Sequence, residues 1–264
     1  MDHYLDQPRE VALETYAKCN AACVFCPYPT LDRIGEKMSD DLIIDLIDQM
    51  SEWDKPFYFS PFKVNEPLLD KRLITICKDV LMNTNGIIRL FSNGSALTPK
   101  KIEEIATLDR LEHLWISLND YRAKEYRELM NLDFENTASK LDYLHESGFP
   151  FRVVLSTVGF PNEEFRRYCF DRWPNFESFA IHRSGWLGDI EPQDRPIPEH
   201  ECGRWWEMSI MANGIVSLCC MDGQGKYPQG DVKAESLLDI YAKMREHRVR
   251  KKRDWFPCNT CNNH

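Results

Sequence analysis

Glu10–Cys26 reads EVALETYAKCNAACVFC. Polar and apolar residues alternate through Glu10–Tyr16, the period of a β-strand. Cys19, Cys23 and Cys26 follow at once, on a loop. Three thiolates that close together hold three irons of a [4Fe-4S] cluster. No fourth cysteine lies nearby, so one iron is left open to a small chelating ligand. The spacing also admits a three-thiolate zinc site with an open position, or unpaired structural thiols.

Beyond this loop, helix and strand patterns alternate. Ser39 reads as an N-cap, with Asp40 and Asp41 in the first turn and Leu42, Ile43, Leu46, Ile47 and Met50 at helical spacing. Strands are expected over 57–62, 87–91, 113–118, 151–158 and 176–182. Helices are expected over 68–82, from Thr98-Pro99 onward, over 134–146 and over 163–172. About six such repeats predict an α/β fold, a partial (β/α)6 TIM-like barrel of parallel strands covered by helices. Ligands in such folds meet the carboxyl ends of the strands. The alternation breaks at Gly185–Pro198, rich in Gly, Pro and charge. This predicts a barrel over 1–185 and a small α+β hairpin-helix domain over 186–264. In the latter, 207–211 and 215–219 flank the hairpin signal Ala212-Asn213-Gly214, and a helix is expected over 237–248.

Lys+Arg number 33 and Asp+Glu 42, a net charge of −9 over 264 residues. A protein that neutralises phosphates leans the other way, so nucleic acid is not an expected partner. Mean hydropathy is −0.49, and no run approaches the ~18–20 apolar residues of a membrane span. The start, MDHYLDQPRE, has acids and Pro where a signal peptide has a basic patch and an apolar stretch, so a cytoplasmic location is expected. The 10 cysteines then point to metal or redox chemistry rather than disulfides. A second set, Cys202, Cys219 and the terminal Cys258-x2-Cys261, makes a closed site of four thiolates for zinc or a [4Fe-4S] cluster.

The C-x3-C-x2-C motif after the first strand, with Phe25 before the third cysteine, resembles the radical S-adenosylmethionine (SAM) superfamily. The resemblance implies that SAM chelates the open iron through its amino and carboxylate groups. An electron from the cluster then cleaves SAM to methionine and a 5′-deoxyadenosyl radical, which takes a hydrogen atom from the substrate. It assigns Glu66, in Val64-Asn65-Glu66-Pro67-Leu68-Leu69, to the SAM ammonium, with Asn65 where the family usually has Gly. Ser92-Asn93-Gly94 falls near the SAM carboxylate and ribose, Ser117 and Asn119 near the ribose, and Ser156 is a further polar candidate.

Cys202, Gly214, Cys219 and the late C-x2-C resemble the start of the SPASM motif in its shorter twitch form, since the chain stops three residues after Cys261. This implies an auxiliary [4Fe-4S] cluster, and counting from Gly214 selects Cys219 over Cys220. Within the superfamily the chain is similar to the 2-deoxy-scyllo-inosamine dehydrogenases, through Glu66-Pro67-Leu68-Leu69, the hairpin Gly and Cys, and the late C-x2-C. That similarity implies an oxidoreductase acting on a small polyol or sugar-like metabolite, with the auxiliary cluster accepting an electron and Arg183 facing the substrate. A peptide-modifying epimerase or crosslinking enzyme is the alternative, disfavoured by a barrel that starts within about ten residues of Met1. A zinc-stapled, non-catalytic binding protein is the alternative of another class. The expected electron donor is a flavodoxin or ferredoxin, for which the basic run Arg245–Arg253 is either a docking patch or a solvated helix face. Cys77 reads as core, and Cys169 or Cys220 as a hydrogen-atom donor should the reaction be an epimerisation.

Overall fold

The computed structural model describes residues 4–159, 162–191, 196–199, 201–250 and 252–262. Six strands lie in the barrel part: β1 (Glu10–Leu13), β2 (Phe57–Ser60), β3 (Gly86–Ser92), β4 (Leu111–Ser117), β5 (Val153–Val158) and β6 (Glu177–Ile181). Three follow: β7 (Glu207–Ile210), β8 (Ile215–Ser217) and β9 (Pro228–Asp231). All belong to one sheet, in the order β6-β5-β4-β3-β2-β1-β7-β8-β9. Neighbours from β6 to β1 are parallel. The connections carry α1 (Asp40–Ser51), α2 (Leu73–Asn83), α3 (Pro99–Ile105), α4 (Ala123–Met130), α5 (Phe134–Glu146) and α6 (Glu163–Arg172). This is the α/β partial barrel that the alternation predicts.

Strand alternation divides the sheet into two chemistries. Ile88, Leu90, Leu114 and Ile116 are 0–1% exposed and pack in the helix-covered core. Burying each such side chain contributes ~1.5–3 kcal/mol. Arg89, Phe91, His113, Trp115 and Ser117 alternate with them onto the opposite, concave face. There Phe91 on β3, Trp115 on β4 and Phe179 on β6 form an aromatic strip, with ring centroids 6.0 and 6.1 Å apart.

Helix starts follow local capping. Ser39 accepts from Leu42 N, Thr98 Oγ1 from Lys101 N, Asp133 from Asn136 N and Asn162 from Phe165 N. The helix expected over 68–82 is shorter than its apolar pattern. Glu66 takes the Leu68 N–H and Asp70 takes the Arg72 N–H, so a 3-10 turn (Pro67–Leu69) precedes α2. The expected helix over 237–248 is two, α7 (Leu237–Ala242) and α8 (Arg245–Arg250).

β7 pairs in parallel with β1, from Glu10↔Glu207 to Leu13↔Ile210, and turns back through Gly214 (φ +91°) into antiparallel β8. The C-terminal hairpin thus extends the barrel's own sheet. We propose the division at 185/186 on this change of topology; residues 192–195 of the connecting stretch lie outside the described residues. The basic run is neither bare nor wholly solvated. Arg248 is 0% exposed with its guanidinium 3.5 Å from the Tyr241 ring centroid, Arg245 pairs with Asp6, and Arg250 pairs with Glu246 and Asp254. Lys251 of that run lies outside the described residues.

Candidate active site

The loop after β1 holds Cys19, Cys23 and Cys26, all partly buried. Its backbone is held by the end of α4: Ala22 N donates to Met130 O (3.0 Å) and Val24 N to Leu129 O (2.9 Å). Ala21 N reaches Cys19 Sγ at 3.4 Å, and Asn93 Nδ2 lies 3.9 Å from the same sulfur. Burial pushes the Cys19 thiol up to about 11 and the Cys26 thiol to about 12. Burial, then the neighbouring Cys26 and Cys19, raises that of Cys23. Such thiols keep their protons near neutrality until a metal displaces them. Among the described residues no three His, Cys, Asp or Glu side chains group closely enough to hold one ion. A cubane spreads its thiolates over separate iron corners and needs no such convergence.

Glu66 sits beside this loop, 2% exposed. It accepts from Ser92 Oγ (2.8 Å), Asn93 N (2.7 Å) and Leu68 N (3.1 Å), while its own N–H donates to Lys18 O (2.8 Å). Burial raises the carboxyl's pKa against the pull of those donors. Asn93 Nδ2 donates to Asn20 Oδ1 (3.0 Å), so Cys19, Glu66, Ser92 and Asn93 form one connected group. Asn65 Oδ1 accepts from Lys63 N (3.0 Å), while its buried Nδ2 has no protein partner.

Ser117 and Ser156 face each other in register across β4 and β5, and Ser156 Oγ is likewise buried without a partner. Buried polar atoms without a protein partner, after β2 and within β5, fit a polar ligand such as SAM. Asn119 (φ +67°) is already engaged: its Nδ2 donates to Ser117 Oγ (3.0 Å) and its Oδ1 accepts from Val158 N (3.0 Å). Arg183, after β6, donates to Val24 O of the cysteine loop (3.4 Å).

Gly94 turns this group back toward α3 at φ +74°. An added Cβ would stand 3.1 Å from Ile116 Cγ2 and 3.3 Å from Thr137 Cγ2. Gly94→Ala is expected to destabilise the protein by about 1–3 kcal/mol, seen as a lower urea midpoint. An unchanged midpoint would contradict the tight turn.

A separate cavity is walled by Cys202, Cys219, Cys258 and Cys261, with Arg204 and Arg253 at its sides. Cys220 is not among its lining residues. Burial pushes the Cys258 thiol up to about 11. Cys77 and Cys169 are 0% exposed in the helix–sheet core, away from either cysteine group.

Sequence reasoning missed what joins these places. Trp186 packs, as Cys19 and Cys26 do, against Tyr28, Leu31 and Val64 and donates from Nε1 to Phe25 O (3.0 Å); the next residue, Leu187, walls the four-cysteine cavity. Trp186 (φ +47°) and Leu187 (φ +52°) both take the left-handed conformation, a strain of about 1–2 kcal/mol each. Glu14 and Arg33 form a buried fork, Nε–Oε2 2.8 Å and Nη2–Oε1 3.0 Å, and Arg33 Nη1 reaches Gly223 O (2.5 Å). Lys63 is wholly inside; burial lowers its pKa, with Glu14 opposing. Asn20 carried a weak signal, as a polar residue inside the cysteine motif. The others gave none, because their partners are far away in sequence.

The chain matches the radical SAM superfamily over residues 13–168, and it belongs to that superfamily. Residues 202–262 match an iron-sulfur cluster-binding domain, SPASM. The chain is therefore an enzyme whose cofactors are SAM, a SAM-binding [4Fe-4S] cluster and an auxiliary one. This sets aside the zinc-stapled binding protein. An AdoMet-dependent heme synthase of Methanosarcina barkeri is 26% identical over 181 residues, 66% of this chain and 50% of that protein. The chain thus spans about half the length of the curated relative it matches. Among solved structures, BtrN in complex with AdoMet and 2-DOIA aligns with TM-score 0.67 and 17% identity, covering 97% of this chain and 93% of that one. Streptococcus suis SuiB bound to precursor peptide SuiA aligns with TM-score 0.71 and 14% identity, covering 97% and 70%. No helix among the described residues is long and apolar enough to cross a membrane.

Proposed function

We propose that the protein is a radical SAM oxidoreductase that oxidises a secondary alcohol of a small polyol or sugar-like metabolite. The observation that carries this reading is one short turn that reaches both cysteine groups: Trp186 Nε1 donates to Phe25 O of the first loop (3.0 Å) and Leu187 walls the four-cysteine cavity. When bound, these groups supply a 5′-deoxyadenosyl radical that takes hydrogen from the alcohol carbon and an acceptor for the remaining electron, so that loss of the hydroxyl proton completes a ketone.

The chain's own residues hold and orient. Cys19, Cys23 and Cys26 hold the SAM-binding cluster; Cys202, Cys219, Cys258 and Cys261 hold the auxiliary one. Phe25 and Trp186 shield the first loop. Glu66, braced by Ser92 and Asn93, takes the SAM ammonium, a charge-assisted contact. Asn65, Ser117 and Ser156 offer the remaining polar contacts, and Asn119 positions Ser117. Arg183 orients the substrate hydroxyl from the end of β6, and a low-potential flavodoxin or ferredoxin supplies the first electron.

One observation favours a second reading, a peptide-modifying enzyme: the concave face is aromatic, and Phe179 is 43% exposed on it. An apolar side chain suits such a strip. The test uses polyols deuterated at the alcohol carbon. Deuterium appearing in 5′-deoxyadenosine, with a ketone product, supports oxidation; 5′-deoxyadenosine formation stimulated by peptides alone selects the second reading. Arg183→Ala is expected to raise KM for the polyol about 10–100-fold, the loss of one charged hydrogen bond, while slow uncoupled SAM cleavage persists. An unchanged KM would remove Arg183 from the substrate site.

A further inference from the structure

We propose that Lys63 is the counter-charge of the auxiliary cluster and raises its reduction potential; this rests on the reading of Cys202, Cys219, Cys258 and Cys261 as that cluster's ligands. Lys63 follows β2 and is 1% exposed. Its Nζ donates to Ser217 Oγ (2.8 Å), Ser209 Oγ (3.0 Å) and Cys219 O (3.3 Å). Ser217 Oγ donates in turn to Cys219 O (3.1 Å), so toward Lys63 it accepts. Three acceptors match the three N–H bonds of a charged ammonium.

All three are neutral oxygens, and Lys63 forms no ion pair among the described residues. Glu14, the carboxylate in its surroundings, is already held by the Arg33 fork. A buried cation with no partner charge is destabilising by several kcal/mol, unless an anion lies close by. The cavity walled by Cys219 is where that anion belongs. Four thiolates on a [4Fe-4S]2+ core leave a net negative charge, and one-electron reduction makes it more negative. A fixed cation beside the site therefore favours the added electron. Two arginines line the cavity itself: Arg204 pairs with Glu207 at 2.7 Å, and Arg253 donates to Cys261 O at 3.1 Å, as Lys63 does to Cys219 O from behind the lining.

The test is an EPR-monitored dithionite titration of the full chain, reconstituted anaerobically with both clusters. The signal that SAM perturbs reports the first cluster, and the remaining signal the auxiliary one. Lys63→Met is expected to lower the auxiliary midpoint by at least a tenfold change in the reduction equilibrium, about 59 mV for one electron. The first cluster's midpoint should stay in place, and Lys63→Arg should recover most of the shift. Ser209→Asp keeps the lysine and sets a carboxylate against it, and it should move the midpoint in the same direction. Loss of the auxiliary iron alone in Lys63→Met, restored in Lys63→Arg, also supports the proposal. An auxiliary midpoint that stays put in Lys63→Met overturns it; should that variant fail to fold, an unmoved midpoint in Ser209→Asp does so. A parent protein with only about four irons refutes instead the ligand reading beneath it.

Discussion

Replacing Cys19, Cys23 and Cys26 together by alanine is expected to cut iron from about eight to about four per chain and to abolish 5′-deoxyadenosine formation. The fold should survive. The loop's geometry comes from its backbone, through Ala22 N to Met130 O and Val24 N to Leu129 O, which alanine preserves. The second cysteine cavity draws its thiols from residues 202–261 and shares none with the first. Iron analysis and chromatography of the SAM products check both halves. Deoxyadenosine from the triple variant, or loss of all iron with the fold intact, would show that the two groups are not separate sites with separate tasks.

Glu66→Gln should weaken SAM binding about 10–100-fold, the loss of one charge-assisted hydrogen bond. The carboxylate is surrounded by donors: Ser92 Oγ, Asn93 N and Leu68 N. An amide sets its own N–H2 against one of them, and the Asn93 and Leu68 backbone donors cannot turn away. A stability loss of about 1–3 kcal/mol should accompany the change. Denaturant unfolding measures the second effect, and the SAM-induced change in the cluster's EPR spectrum, titrated with SAM, measures the first. A variant that is less stable but binds SAM as tightly would make Glu66 a brace for the Ser92–Gly94 turn and nothing more.

The legible parts of the chain were those whose cause is local. Asp133 and Asn162 cap α5 and α6, which span 134–146 and 163–172 as the pattern predicts. α4 escaped notice because it is only eight residues long and mostly polar, with Tyr126 and Met130 alone buried, so its apolar face is short. β9 reads PQGD, without a β-branched or aromatic residue, and its place is set by pairing with β8. The break before α2 comes from two side chains, Glu66 and Asp70, that take backbone N–H groups from a run whose apolar spacing says helix.

The candidate site divides in the same way. Cysteines announce themselves because few other residues do their chemistry and their spacing is short. Lys63 is an ordinary lysine in the sequence and gains its meaning from Ser209, Ser217 and Cys219, about 150 residues away. Trp186 likewise carries no signal in the sequence and gains its meaning from the hydrogen bond to Phe25 O, 161 residues away. Asn119 is the reverse case, since its side chain is engaged in joining the ends of β4 and β5.

If Cys19, Cys23 and Cys26 leave one iron corner for SAM, anaerobically reconstituted protein given SAM and a low-potential reductant should split it, and product analysis measures this. Methionine and 5′-deoxyadenosine are expected in equal amounts, formed only when reductant is present. Iron-loaded protein that leaves SAM intact under those conditions would contradict it.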